Sequence, residues 1–574
     1  MKTRFFIVVI LFCTVSFSNS YSQKIKSVPA RIEYITLVNG TEDRDRGKII
    51  LETAGDVAKI TTQTMGKTLI PEAPTETGYL DYKEKRAVQL AEFQDGKKIS
   101  AVTPFDKMPQ FEITDQQDTV AGYLCRKAKA VVFSNTIEIW FTVELGIKGA
   151  PSLGYAMDNV LILKILRNNN FEIRAVSVER NQKTEPLPML PADIGQTLET
   201  QDYRQVLASA YIKKVKVFTD EQISWGNPAS NPANHDSAGA TYRFAGGTVI
   251  LRKVILPEVP SDASVFVNLT QFSNGDAYDR TGSVFLVPVN AKHSFLNCFF
   301  DGLNTLPAYQ AKNGKSYQGI IKTEDFNPVV ELMRFFTPFG IRQYNEKVKI
   351  TGYNWFDSVT YKQDITELLP LLKGEQWIGI YLGNYDAGGH KVSLNIDFHL
   401  NHKEVQEMPV EKPFWISLFN TTNIMEMAGQ EYGTLFGTDT LTVWLDIPER
   451  ATGLKLRYIS TGHGGWENGD EFIPKENVIL IDGKEIFSYT PWRADCATYR
   501  LYNPASGNFW NGLSSSDYSR SGWCPGTATN PVYIPLENLS PGKHKFQIFI
   551  PMGAPEGSSF SSWNISGIVL GKQK

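Results

Sequence analysis

Apolar and polar residues alternate with a period of two along much of this chain, the spacing of strands that bury one face. "RIEYITLV" (31–38) and "KIILE" (48–52) are rich in β-branched residues, and "TIEIWFTVEL" (136–145) alternates as a half-buried strand does. "NVLILKILRNNNFEIRAVSVER" (159–180) predicts two strands joined at the asparagine run, a hairpin. The next stretch, 181–200, carries Pro186, Pro188 and Pro191 and reads as a linker, or as a proline-stiffened connection leading into a short helix. From about Tyr211 the strand pattern resumes in two blocks whose short strands, punctuated by Gly, Pro and Asn, predict β-sandwiches. "DITELLPLL" (364–372) is the clearest helical turn among them. Since 574 residues exceed what one core can hold, the expectation is an all-β protein in three parts: 24–200 with its linker, 201–405 and 406–574.

The first residues, "MKTRFFIVVILFCTVSFSNSYSQ", place Lys2 and Arg4 ahead of an apolar run from Phe5 to Phe17 and then small polar residues. That pattern predicts a signal peptide over 1–23, with an apolar run too short to span a bilayer. Cys13 lies behind bulky Phe12, where lipidation needs a small residue, so no lipid anchor is expected. No later stretch approaches transmembrane length, so the mature chain is expected to be exported, periplasmic or secreted. Lys plus Arg is 58 and Asp plus Glu is 61, a net charge of −3, which provides neither a basic field for nucleic acid nor a polybasic membrane stripe. Hydrophobic residues at 42% and charged residues at 21% make a globular composition rather than a disordered one. Aromatic residues reach 12%; in β-rich exported proteins such rings line carbohydrate or peptide clefts as well as filling cores.

Four cysteines follow the signal peptide, Cys125, Cys298, Cys496 and Cys524; they allow three full pairings, or fewer bonds with some thiols free. There is no CxxC, hence no zinc knuckle or thioredoxin-type site. "NGKS" (313–316) ends like a phosphate loop, but Tyr309 stands where the first glycine is required, and no G-x-S-x-G elbow exists. His399 and His402 in "DFHLNH" would point to opposite faces of a strand, so no metal is expected there.

Three loops hold the remaining chemistry. "NGDAYDRTGSVFLVPV" (274–289) sets Asp276, Asp279 and Arg280 before an apolar strand; taken alone it reads as a solvated turn. "STGHGGWENGDEF" (460–472) gathers His463, Trp466, Asp470 and Glu471 among glycines, as a solvated or a ligand-reading loop. "PWRADCATYRLYNPASGNFWNGLSSSDYSRSGWCPG" (491–526) contains Cys496, Cys524, Arg520 and Trp523, and loops of this length without structure are usually functional or disordered. A disulfide closing it would stabilise by about 3–4 kcal/mol and make it a rigid wall.

"DAYDR", "RFFTP", the "DIT" before a leucine-rich turn and "SRSGWCPG", in this order over about residues 214–574, resemble bacterial peptide-N-glycosidase F. The resemblance implies two tandem eight-stranded jelly rolls with an active site between them. It implies hydrolysis of the amide joining the core GlcNAc of an N-linked glycan to asparagine, with no metal and no cofactor. N-glycosylated proteins and glycopeptides would be the partners, and a monomer is expected. The region "TVAGYLCRKAKAVVFSNTIEIWFTVEL" looks like GLPGLI-type domains of exported Bacteroidota proteins, so the three-part layout is similar to the type II enzymes. Carried across motif by motif, the catalytic carboxylates fall on Asp279 and Glu471. Arg280, Arg520, Trp523, Asp276, His463 and Tyr385 become the substrate-binding set, and Cys496–Cys524 the retained disulfide. A carboxylate would activate water, and Arg280 or Arg520 would offset charge developing on the amide oxygen.

Departures from that pattern carry information. "GIYLGNYDAGGH" (379–390) has Gly383 and Tyr385 where the family has a glutamate and a tryptophan, so one acid is missing and Asp386 is the nearest substitute. The glycines of this stretch are expected to widen the wall, in keeping with tolerance of an α1,3-fucosylated core as in type II enzymes. The family's cysteines beside the aspartate and glutamate motifs are absent. The competing reading is a non-catalytic glycan-binding protein on the same fold. A copper mono-oxygenase relative would need clustered His and Met ligands that the spacing does not provide.

Overall fold

A computed structural model describes residues 28–63, 73–180, 187–226, 231–401, 412–464, 469–536, 539–553 and 561–573; the signal peptide expected at 1–23, Pro186, His402 and Trp466 lie outside them. The chain divides into two compact units, one ending at Ala210 and one beginning at Tyr211.

In the first unit 13 strands make one sheet, in which Ala30–Val38 lies between Lys48–Ala54 and Phe171–Arg180. Ala30–Val38 buries Ala30, Ile32 and Tyr34 in alternation, and the Tyr34 hydroxyl donates to the Ile162 carbonyl at 2.8 Å. The expected hairpin is present as Leu161–Arg167 and Phe171–Arg180. Asn168 and Asn169 make its turn at φ 49° and 58°, a left-handed conformation that asparagine tolerates better than most residues. After the prolines, Gln196–Leu198 joins the sheet in parallel beside Lys98–Pro104, and the short helix spans Thr200–Ser209 with Tyr203 buried. The stretch read as a linker is thus stitched onto the sheet edge. Cys125 is buried here as a free thiol.

The second unit contains both β-sandwiches. In the first, Ile212–Ile223, His390–His399, Ser264–Ser273 and Val359–Asp364 form one sheet. It faces a sheet ordered Thr241–Phe244, Val249–Leu256, Gly374–Leu382, Thr281–Val287, Val330–Phe336 and Ala528–Thr529. The last of these six strands comes from the second sandwich's part of the chain; with it the two sheets hold ten strands, where eight were expected. The second sandwich has two four-stranded sheets. One holds Lys412–Asn420, Ser562–Gln573, Ala451–His463 and Val532–Pro535; the other holds Leu441–Ile447, Gly542–Phe549, Asn477–Ile481 and Lys484–Tyr489. Where one strand face meets solvent, alternation is clean, as in Ser264–Ser273 and His390–His399. The turn expected at 364–372 is a 3₁₀ helix over Thr366–Leu371.

Val330–Phe336 departs from alternation, because all seven residues are buried. One face packs on Leu286, Ile380 and other residues of the first sandwich, and the second sandwich closes the other. A continuous apolar cluster runs from Phe285 and Tyr381 of the first sandwich to Tyr458 and Trp563 of the second. Into this seam the strand places Glu331 and Arg334, fully buried and paired at 2.7 Å. Arg334 donates to Thr422 Oγ1 at 2.9 Å, to Thr461 Oγ1 at 3.1 Å and to the Asn564 carbonyl, all in the second sandwich. Arg457 answers from that side with bonds to the carbonyls of Glu331 and Leu332 at 2.7 and 3.0 Å.

Removing one member of such a pair strands a buried charge. Arg334→Leu is expected to cost about 3–5 kcal/mol and lower the urea midpoint of the second unit, with Arg334→Leu/Glu331→Leu losing much less. Equal losses in the two variants would show that Arg334 acts by shape alone.

Candidate active site at the seam between the jelly rolls

The loop from Asn274 to Arg280 joins the strands Ser264–Ser273 and Thr281–Val287 and folds around one carboxylate. Asp276, 2% exposed, accepts bonds from Arg280 Nε at 2.7 Å, Arg280 Nη2 at 3.1 Å and the Tyr278 amide at 3.1 Å, with His390 Nε2 at 3.5 Å. Burial works against its charge, but the hydrogen bonds from His390 and Arg280 outweigh it and hold the carboxyl down at about 2. Thr337 of "RFFTP" fixes the far end of the loop. Its hydroxyl accepts from the Arg280 amide at 2.7 Å and donates to the Tyr278 carbonyl at 3.1 Å. Held at both ends, the loop turns Asp279 toward the second jelly roll.

There it meets Arg520. This guanidinium is fully buried and donates through Nη2 to Asp279 Oδ2 at 3.4 Å and the Ser515 carbonyl at 2.8 Å, and through Nη1 to Glu471 Oε1. It lies 4.8 Å from the Phe472 ring centroid and 4.7 Å from that of Trp523. Glu471 is turned outward because its neighbour Asp470 is committed to Trp563 Nε1 at 2.7 Å and the Gly553 amide at 2.9 Å. The side chains of Asp279 and Glu471 keep 15% and 19% exposure, so solvent or a ligand reaches them while Arg520 stays sealed behind. Burial pushes the Asp279 carboxyl up to about 7, with the charge of Glu471 adding and Arg520 opposing. Burial raises Glu471 as well, against Arg520. Two acids sharing one cation titrate as a pair, and one of them retains a proton well above the ordinary carboxylate range.

The Cys496–Cys524 disulfide forms and closes the loop that carries Arg520, while Cys298, like Cys125, is a buried free thiol. A backbone pair between Arg493 and Arg520, at 2.8 and 3.0 Å, ties the two arms of the loop together.

The residues expected to contact substrate differ in how far they are exposed. Asp276 is buried with its oxygens occupied, so it shapes the loop. Arg520 is sealed, so it holds the two acids. Trp523 is 3% exposed, donates from Nε1 to the Gly462 carbonyl at 2.9 Å and stacks on Phe336 at 4.3 Å, so it props Arg520. His463 is half-buried, and loss of solvent with the charges of Arg334 and Arg520 drives its imidazole down to about 3. The Thr461 hydroxyl accepts from Arg334 and shares a hydrogen bond of 2.8 Å with His463 Nε2. Two predicted residues remain at the surface: Arg280, whose Nη1 carries no hydrogen bond among the described residues, and Tyr385, 53% exposed with its ring centroid 5.3 Å from that guanidinium.

The glycines of 379–390 do not widen the wall. A Cβ at Gly383 would lie 2.6 Å from Tyr381 Oη, and one at Gly388 would lie 2.3 Å from the Asn274 carbonyl oxygen. Asp386 does not replace the missing acid either, because Oδ1 accepts the Gly388 and Gly389 amides at 2.7 and 2.9 Å. Residues that sequence reasoning passed over include Thr337 and Phe336, visible only as part of "RFFTP", and Ser515, for which no signal existed.

With this geometry in view, comparison with known proteins is decisive. Family models described as "Peptide-N-glycosidase F, N terminal" and "Peptide-N-glycosidase F, C terminal" match residues 214–398 and 431–570, and one described as "N-glycanase peptide, N-terminal domain" matches 32–205. A crystal structure of PNGF-II in space group P21 is 41% identical, with 95% of this chain and 100% of that one covered and a TM-score of 0.84. The chain belongs to the peptide-N-glycosidase F family. The C2 crystal form of PNGF-II is also 41% identical over 95% of this chain and 98% of that one, with a TM-score of 0.75. None of the curated proteins matches the chain. Membership in the peptide-N-glycosidase F family supports N-glycanase-type function.

The raised Asp279 pKa gives a stability signature. Between about pH 4, the ordinary aspartate range, and pH 7, the folded protein keeps a proton that the unfolded chain has lost. Stability therefore falls as pH rises through that window, and the loss is complete above it. Asp279→Asn removes the loss, so its Tm is expected to exceed wild type by about 2–6 °C at pH 8 and to match it near pH 4. Scanning calorimetry across pH checks this, and a variant less stable at pH 8 would contradict it.

Proposed function

We propose that this protein hydrolyses the amide between the core GlcNAc of an N-linked glycan and asparagine, leaving aspartate in the peptide and releasing a glycosylamine that then loses ammonia. The observation that carries the reading is the meeting of Asp279 and Glu471, from different jelly rolls, on the single buried cation Arg520. A carboxamide is a weak electrophile, so the attacking water needs a base whose pKa lies near the working pH, and Asp279 has one. Ionised Asp279 takes a proton from water as its oxygen adds to the amide carbon. The carbon–nitrogen bond then breaks, and the proton passes to the departing nitrogen. Arg280 Nη1 is the donor left to face the charge gathering on the amide oxygen, since Arg520 is enclosed. Glu471 orders the water and sugar hydroxyls beside it. The reading calls on no metal or cofactor. N-glycoproteins are the proposed substrates, and the export expected from the N-terminal sequence would bring the protein to them.

A binding protein without turnover is the second reading, favoured by Tyr278 and Tyr385, which expose 61% and 53% of their surface beside the acids as sugar-stacking faces do. Incubation of an N-glycopeptide with the mature protein in ¹⁸O water separates the two. The expected product is labelled aspartate with intact glycan released, and Asp279→Ala lowers kcat/KM by at least about 10³-fold. The rate is expected to rise through an apparent pKa near 7, because the base works only after losing its proton. Unchanged glycopeptide that stays bound would establish the second reading.

A further inference from the structure

A carboxylate from another part of the chain stands against the wall formed by 379–390. Glu426 begins a 3₁₀ turn, Glu426–Ala428, in the second jelly roll, yet its carboxylate reaches the first. Oε2 accepts the Tyr381 hydroxyl at 2.9 Å and Oε1 accepts the Tyr385 hydroxyl at 2.6 Å. A Cβ at Gly383 would lie 3.6 Å from Glu426 Oε2, so the carboxylate stands against the wall where a side chain from Gly383 would project. That wall borders the acids described above. The Gly383 amide donates to the Thr281 carbonyl at 3.0 Å, two residues beyond Asp279, and the Arg280 guanidinium faces Tyr385.

The arrangement is built for recognition rather than for packing. Glu426 has no cation within ion-pair distance among the described residues, only two hydroxyl donors, so its oxygens keep acceptor capacity. Tyr381 is fully enclosed and fixes one oxygen, whereas Tyr385 is half exposed and presents the other at the surface. On the other side of the turn, a Cβ at Gly246 would lie 3.3 Å from the Trp225 indole and 3.8 Å from Met427 Cβ, which places an indole with 45% exposure near Met427, the residue after Glu426. A partly exposed carboxylate between a tyrosine hydroxyl and aromatic faces suits a sugar, whose hydroxyls need acceptors and whose C–H face needs a ring.

We propose that Glu426, oriented by Tyr381 and Tyr385, accepts a hydroxyl of the sugar attached to asparagine and sets its position against Asp279. The proposal rests on the amidase reading for the identity of that sugar. The 3- and 6-hydroxyls are those the innermost GlcNAc keeps free within a chitobiose core.

The test is kcat/KM for a chitobiose glycopeptide and its 3-deoxy and 6-deoxy forms at the innermost GlcNAc, measured on wild type, Glu426→Gln and Tyr385→Phe. Wild type is expected to lose about 10- to 100-fold on one of the two deoxy substrates. Glu426→Gln is expected to lose a similar factor on the parent and less than about threefold more on that same deoxy substrate, because the partner is already gone. Tyr385→Phe, a surface change that leaves folding intact, is expected to show the same coupling at about three- to tenfold. Losses that multiply on both analogues, or Glu426→Gln within about twofold of wild type on the parent, overturn the proposal while leaving the amidase reading in place. If wild type releases no glycan, the amidase reading fails, and the same cycle measured as Kd by calorimetry decides the proposal. Coupling retained there sustains it, and equal affinities of wild type and Glu426→Gln overturn it.

Discussion

A guanidinium taken wholly out of water must be met by opposite charge, and Arg520 is met by two carboxylates at the seam of the two jelly rolls. One carboxylate, Asp279, comes from the first roll and the other, Glu471, from the second. Glu471, from Arg520's own roll, makes the closer pair, and docking of the rolls brings Asp279 in as the second. Burial of the two acids raises their proton affinity, with the charge of Glu471 adding at Asp279 and Arg520 opposing at both. Burial at the seam thus produces a carboxylate that titrates near neutrality, the property that the proposed amide hydrolysis calls for.

Docking is reinforced a short distance away by Glu331, Arg334 and Arg457, and the two charge clusters are mechanically linked. Arg334 bonds to Thr461, which orients His463; His463 and Phe336 stack against Trp523, which supports Arg520. Thr337, next along the same strand, clasps the loop bearing Asp279. Most of the polar residues here therefore position a few. Among the described residues, Asp279, Glu471, the free edge of Arg280, Tyr278 and the Tyr385–Glu426 pair face outward.

Alternation exposed much of this fold to reading from sequence. It located the strands that have one wet face, and the asparagine run marked a hairpin turn by its tolerance of positive φ. It failed at Val330–Phe336, where both faces are covered and period two disappears. The ordered motifs brought Asp279, Glu471 and Arg520 forward together, but they did not distinguish a residue that touches a ligand from one that holds such a residue. Asp276 and Asp279 are three positions apart in one motif, and only burial separates their roles. Gly383 looked like open space because a sequence shows a missing side chain and not what moves in to occupy its place. Glu426 belongs to no motif and approaches from the other roll, so proximity in sequence held no trace of it.

The two-residue strand Ala528–Thr529 has a consequence for how the molecule is made. It caps the edge strand Val330–Phe336 of the first roll, pairing Ala528 with Phe335 and Thr529 with Arg334. A chain synthesised from its N-terminus displays that edge, with amides and carbonyls unanswered, until nearly all of the second roll has followed. The rolls are consequently not two modules in series but one closure completed late. A fragment cut between them would carry an adhesive border, ready to pair with a strand of any other chain that offered one.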